Sequence, residues 1–222
     1  MPAPELPFDP SEIGAAVFDY GGVLIDGGPR EVAAFGERAG IDAEAWRELR
    51  RTLFGNVGPW ASLERGELDF DSFIDELAAV VNAAGGTVTR EQALGFLGDP
   101  DPMAQKARLR ADMLDRVEAI RGRVPTALLT NNVAEWRAGW RTLLDLDRLF
   151  DVVVDSSAVG TRKPESKIYE ITRERLGVEH DAIFFLDDIG QNLKAARALG
   201  WKTVLFTQTD EILPVLDAIA AG

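Results

Sequence analysis

The chain has 222 residues, 46% hydrophobic and 27% charged, with 37 acidic against 24 basic side chains and a formal net charge of -13. That balance provides ample core-forming material and argues against a nucleic-acid or anionic-membrane surface, because an acidic protein repels polyanions. With no cysteine and a single histidine, His180, the chain lacks thiolate or histidine metal clusters, disulfides and support for a Ser-His-Asp hydrolase.

In chain order, residues 1–13 are proline-rich (Pro2, Pro4, Pro7, Pro10) and read as a mobile or loosely attached N-terminal arm. The run Ala15–Asp19 is apolar until its last residue and reads as a buried strand. The next strand signal, Pro125–Thr130, lies about a hundred residues on, far more than one crossover requires. Within that gap Phe70, Phe73, Ile74, Leu77 and Val81 recur at helical spacing. So do Leu109, Met113, Val117 and Ile120, in a helix that would return the chain to the sheet. Residues 27–105 are therefore expected to form a helical cap inserted into a core of residues 14–26 and 106–222. Gly27-Gly28-Pro29 and Gly98-Asp99-Pro100-Asp101-Pro102 are the expected hinges.

Beyond the second strand the pattern alternates. Residues 133–146 read as a helix, Asp151–Asp155 as a strand, and Pro164–Leu176 as a helix with proline in its first turn. Ala182–Asp187 reads as a strand and Ile189–Leu199 as a helix stopped by Gly200, with Ile189, Leu193, Ala196 and Leu199 on one side. Lys202–Phe206 is the last strand. The fold class predicted is α/β, a doubly wound parallel sheet with an inserted α-helical cap.

Ligands of open α/β sheets bind beyond the carboxyl ends of the strands, and the chemistry-bearing residues cluster there. Asp19 follows the first strand, Thr130 and Asn131 close the second, Asp187 and Asp188 follow the fourth, and Lys163 enters from a loop. Three carboxylates near one another do not all ionise without cations. A divalent ion plus Lys163 would offset them, and an all-oxygen ligand set favours Mg²⁺ over zinc or copper. A carboxylate so placed can attack phosphorus. Lys163, the Thr130 hydroxyl and backbone N–H groups around Tyr20, Gly21 and Gly22 would hold phosphoryl oxygens.

The segments Phe18-Asp19-Tyr20-Gly21-Gly22-Val23-Leu24, Leu129-Thr130-Asn131-Asn132, Arg162-Lys163-Pro164 and Leu186-Asp187-Asp188-Ile189-Gly190-Gln191-Asn192 resemble the four motifs of the haloacid dehalogenase-like (HAD) hydrolases. The stretch Lys163–Tyr169 is similar to the capped branch that includes the phosphatase domain of soluble epoxide hydrolase and sugar-phosphate phosphatases. The resemblance implies a nucleophilic, metal-ligating Asp19, a metal-binding carbonyl at Gly21, phosphoryl contacts from Thr130 and Asn131, and charge stabilisation by Lys163. It also implies that Asp188 ligates the metal directly, that Asp187 acts through water or positions Lys163, and that Asn192 supports the metal shell.

Gly21 departs from the pattern, because phosphatases of this family usually carry there an aspartate that protonates the leaving alcohol. The expected function is Mg²⁺-dependent hydrolysis of a small phosphorylated metabolite through an aspartyl-phosphate. The alternatives are a 2-haloacid dehalogenase-like or other hydrolase that needs no such acid, and a catalytically silent binding protein. A response-regulator receiver is set aside because there the acid pair comes early and no large insert is needed. Arg51 and Arg162 read as surface arginines, Trp46, Trp60, Phe54 and Phe73 as the cap's own core, and His180 as structural or exposed. No apolar run reaches membrane-spanning length and the first residues lack signal-peptide character, so the expected location is cytoplasmic. No nucleic acid or membrane is an expected partner, and a homodimer stays open.

Overall fold

A computed structural model describes residues 6–26, 35–96 and 106–222. Its centre is a five-stranded, wholly parallel sheet in the order β3-β2-β1-β4-β5. The strands are β1 (Ala15–Phe18), β2 (Thr126–Thr130), β3 (Val152–Asp155), β4 (Ile183–Asp187) and β5 (Lys202–Leu205). The central strand β1 pairs with two segments distant in sequence, Val17 lying opposite both Ala127 and Phe185.

Because side chains alternate along a strand, the all-apolar strands feed two cores at once. Ala16, Phe18, Leu128, Phe184 and Leu186 face one way. They pack with Met113, Val117 and Ile120 of α5 (Ala111–Arg121) and with Ile212, Val215, Leu216 and Ile219 of α11 (Thr209–Ala221). Ala15, Val17, Ala127, Leu129, Val154, Ile183 and Phe185 face the other way. There they meet Ile168 and Tyr169 of α9 (Ser166–Leu176), Leu193 and Ala196 of α10 (Gly190–Ala198), and Trp201. Helices thus cover both faces, as the alternating pattern predicts.

Among the described residues between β1 and β2 are the helices α1 (Ala43–Phe54), α2 (Pro59–Glu64), α3 (Phe70–Ala83) and α4 (Arg90–Phe96). Trp46, Leu53, Leu63, Phe73, Ile74, Leu77, Val81, Ala93 and Phe96 bury their side chains in a separate apolar cluster that also takes in Val133 of the α/β part. Of the predicted face Phe70, Phe73, Ile74, Leu77 and Val81, the last four are buried and Phe70 is half-buried. The chain leaves and re-enters along a short seam: Ile25 bridges Leu109, Asp26 N–H donates to Arg108 O, and Arg110 N–H donates to Leu24 O. The expected hinges, Gly27–Pro29 and Gly98–Pro102, lie outside the described residues.

Several local expectations need correction. Residues 133–146 do not form one helix. A 3-10 turn (Ala134–Trp136) runs into α6 (Arg137–Trp140), and α7 (Leu146–Leu149) begins anew. Gly139 weakens the helical run, and the Asp145 carboxylate accepts the Arg148 N–H to start the next helix. Pro164 lies ahead of α9 rather than in its first turn, in a turn closed by Glu165 N–H on Arg162 O at 2.8 Å. Ile189 is half exposed just before α10 instead of sharing its buried side. The described part of the 1–13 segment lies against the core, with Leu6 and Phe8 packed on it and the Phe8 ring 5.8 Å from that of Phe184.

Candidate active site

Asp19 stands one residue beyond β1, where its N–H still donates to Leu186 O at 3.0 Å and so continues the β1–β4 ladder. That backbone bond fixes where the carboxylate points from. Its Oδ1 accepts the Tyr20 N–H at 2.7 Å and lies 2.7 Å from Lys163 Nζ, leaving Oδ2 without a partner among the described residues. Lys163 is 1% exposed and its ammonium spans two acids, reaching Asp187 Oδ2 at 2.7 Å as well. The ring of Phe185, with its centroid 5.5 Å away, lines the same ammonium.

Lys163 is held from behind by Asn131, whose side chain takes both backbone groups of that residue. Asn131 Nδ2 donates to Lys163 O at 2.9 Å, and Lys163 N–H donates to Asn131 Oδ1 at 2.8 Å. The Asn131 amide is thus committed to positioning the lysine, a task that the sequence reading, with Asn131 as a phosphoryl contact, did not foresee. Thr130 is buried at the end of β2, with only a long 3.4 Å contact to Asn131 O. Tyr20 turns its ring into the core, 5.5 Å from that of Trp140, and burial pushes its hydroxyl up to about 12, so only its backbone belongs to the site.

The two acids after β4 differ in their surroundings. Asp187 is fully buried and saturated: besides Lys163, it accepts the Ile189 N–H at 2.7 Å and the Asn192 amide at 3.1 and 3.0 Å. Asp188 is half-buried, and its Oδ1 is shielded from solvent with no hydrogen-bond partner. One oxygen from each of Asp19, Asp187 and Asp188 falls within 4.8 Å of the others. Three carboxylates against one ammonium leave two negative charges in a confined volume, and an orphaned buried carboxylate oxygen is a costly thing to keep. The donor set fits a hard divalent cation, with Asp19 Oδ2 and Asp188 Oδ1 the unengaged oxygens.

The electrostatics agree with that crowding. Burial, reinforced by Asp187 and Asp188 and opposed by Lys163, pushes the Asp19 carboxyl up to about 8. Burial and then Asp187 raise Asp188. Burial also works against the Lys163 charge, but Asp187 and Asp19 outweigh it and hold the lysine above its ordinary value.

The glycine pair divides its work. Gly22 has φ +82°, and a Cβ there would sit 2.1 Å from Asp188 Oδ2, so both its backbone and its lack of a side chain are required. At Gly21 a Cβ would meet no heavy atom within 4 Å. The space where a second carboxylate could stand is open.

Residues of the insert approach the site from above the Lys163 loop. Glu64 of α2, buried, lies 2.5 Å from Arg162 Nε and accepts Trp60 Nε1–H at 2.8 Å. Arg162 Nη1 also donates to Asn56 Oδ1 at 3.2 Å, and Arg65 pairs with Glu165 at 2.9 Å. Arg162 is therefore a buried link, not the surface arginine expected. Arg51 does lie at the surface, and Trp46 and Phe73 are core of the insert. His180 is structural, its Nδ1 accepting Trp201 Nε1–H at 2.9 Å.

Comparison with known proteins places these features. The chain is 29% identical over 206 residues to acyl-CoA dehydrogenase family member 10 of Mus musculus, covering 92% of this chain but only 19% of that protein. It is 27% identical over 198 residues to the D-ribitol-5-phosphate phosphatase of Bacteroides thetaiotaomicron, covering 84% of this chain and 88% of that one. A HAD-family enzyme of the same bacterium, solved with magnesium and inorganic phosphate, superposes with a TM-score of 0.61 at 21% identity, covering 88% of this chain and 94% of that one. Among the described residues no helix is long and apolar enough to cross a membrane. The sequence model of the haloacid dehalogenase-like hydrolases matches residues 13–200, a span that holds both acid-bearing strand ends and the Lys163 loop, and the chain belongs to that family.

Proposed function

We propose that the protein is a Mg²⁺-dependent phosphatase that cleaves small phosphate monoesters through an aspartyl-phosphate on Asp19. The observation that carries this reading is the pairing of a lysine-held Asp19, one oxygen unengaged, with the unpartnered buried Oδ1 of Asp188. The phosphatase named among the relatives supports it, as does the phosphate-bound neighbour. Asp19, Asp188 and the Gly21 carbonyl would hold the ion, which when bound would neutralise the acid cluster and orient a phosphate oxygen.

A carboxylate oxygen of Asp19 attacks phosphorus as the P–O bond to the organic group breaks, and the leaving alkoxide takes a proton from water. Water then attacks the acyl phosphate, releasing inorganic phosphate and regenerating the carboxylate. Lys163 holds Asp19 in line and offsets charge on the transferring group, while Asp187 and Asn131 keep that ammonium in place. Residues 27–105 act as the cap that covers the reacting groups and selects the organic part.

Gly21 offers no side chain to protonate the alkoxide, so turnover should depend steeply on the leaving group's own acidity. Aryl phosphates are expected to be cleaved with Mg²⁺ far faster than alkyl phosphates. Because the room at Gly21 is open, Gly21→Asp should accelerate alkyl phosphate cleavage by roughly 10²-fold, the lower end of what a positioned general acid supplies, and flatten that dependence. A leaving-group series on both proteins is the measurement. Equal rates across the series in the parent protein would mean that another residue carries the proton. Halide release from a 2-haloacid without metal would replace the phosphatase reading. Phosphate binding without turnover of any ester would leave a silent binder.

Gly22→Ala should weaken Mg²⁺ binding by about 10–100-fold, the usual effect of disturbing a ligand's support, since the new methyl must displace Asp188. Calorimetric titration with Mg²⁺ checks it, and unchanged affinity would remove Asp188 from the ligand set.

A further inference from the structure

Helix α1 of the insert carries Arg47, Arg50 and Arg51 at the i, i+3 and i+4 spacing that puts side chains on one face. Together with Phe54, Gly55 and Asn56 they line a cleft of about 600 Å³, whose opposite wall is Gln191 at the start of α10. Two links tie the cleft to the acid cluster. Gln191 is three residues after Asp188, and Asn56 donates to Gln191 Oε1 at 3.1 Å while accepting from Arg162, the neighbour of Lys163.

Three like charges on one helix face repel one another. Arg51 has only a mutually exposed pair with Glu48, worth little in water. Arg47 makes no ion pair or hydrogen bond among the described residues. The Nε of Arg50 is shielded from solvent and has no hydrogen-bond partner. A buried, unpaired guanidinium N–H is a donor waiting for an acceptor, and the fork geometry of arginine suits carboxylate and phosphate oxygens. Phe54, in ring contact with Trp60, Phe73 and Phe96, supplies an apolar surface beside the three guanidinium groups.

We infer that the substrate carries a second anionic group, and that Arg47, Arg50 and Arg51 hold it while the phosphoryl group lies at Asp19. The inference rests on the phosphatase reading and deepens it: the substrate class is a phosphate ester whose organic part ends in a second phosphate or a carboxylate, with a short apolar spacer against Phe54.

The test is equilibrium titration in Mg²⁺ of the Asp19→Asn protein, in which ligands are not consumed. The probes are propyl phosphate, 4-phosphooxybutanoate, and the bisphosphates of 1,3-propanediol and 1,5-pentanediol. At least one doubly anionic probe should bind roughly tenfold or more tightly than propyl phosphate, the scale of one charged hydrogen bond. Adding Arg47→Gln and Arg50→Gln together should bring that ratio to about one, and Arg50→Lys should restore part of it. Arg116→Gln, which removes a charge paired with Asp217 outside the cleft, should leave the ratio as it was. A ratio near one before the arginines are changed, or a preference that survives their loss, would overturn the inference. Failure of propyl phosphate to bind, with the arginine-dependent preference intact, would overturn the phosphatase reading and leave the anion site standing. Comparison of the carboxylate and bisphosphate arms identifies which anion the cleft takes.

Discussion

Asp19→Asn is expected to reduce phosphate-ester turnover by at least about 10⁴-fold, the scale of losing a nucleophile, while leaving the fold intact. The amide keeps the shape of the carboxylate and can still accept the Tyr20 N–H, so far-ultraviolet circular dichroism should not change. The substitution also has a pH signature. In the metal-free protein the Asp19 carboxyl sits at about 8, above its ordinary 3.8, because burial and the neighbouring acids disfavour its charge. A carboxyl raised on folding contributes stability that is fully present below its unfolded value and lost as pH rises through its folded value. The melting temperature of Asp19→Asn should therefore gain on the parent between pH 4 and 8 when no metal is present. Near pH 7, Mg²⁺ binding should expel more protons from the parent than from the variant, measurable by calorimetry in buffers of different ionisation enthalpy. Equal proton release would mean that Asp19 is already an anion without metal. Turnover surviving in the variant would remove Asp19 as nucleophile.

Lys163→Met should affect both function and stability. The ammonium is the one cation touching Asp19 and Asp187 among the described residues, and both acids are buried. Taking away one partner of a buried ion pair typically costs about 3–5 kcal/mol, because the remaining charge is stranded. Urea unfolding without metal should show a loss of that order, and turnover should vanish. The loss should be smaller when Asp19→Asn is already present, since the lysine then has only the Asp187 carboxylate to pair with. Full stability in the methionine variant would show that the acids are not held as ions by the lysine.

The sheet and the assembly of Asp19, Lys163, Asp187 and Asp188 were legible in the sequence because they rest on local signals. Five short apolar runs between helical patterns read as the strands of one parallel sheet, the inner three buried and the edge strands β3 and β5 only partly so, and the polar residues that end them inherit their positions. What the sequence hid depends on partners far away along the chain. Arg162 resembles any loop arginine until Glu64, about a hundred residues earlier, is placed beside it. Asn131 offers an amide equally suited to phosphate or backbone, and only the approach of the Lys163 loop decides between them. The break between Trp140 and Leu146 is a local matter of the turn after α6 and the Asp145 cap, which helical spacing across 133–146 conceals. Gly22 showed that a backbone came close to something; that the something is Asp188 required the fold.

The placement of β1 between β2 and β4 also bears on how the protein is made. Val17 is synthesised well before one of its two ladder partners, Phe185, which follows only after β2, β3 and the segments between them. Until then one edge of β1 is unpaired and Asp19 lacks its β4 neighbours, so the three acids cannot meet. Such long-range pairing slows folding and exposes unpaired edges to misassociation. The insert, with an apolar cluster drawn mostly from residues 35–96, can condense on the ribosome well before that. The meeting of the three acids therefore waits on β4, and any metal site built from them reports that this strand has joined the sheet.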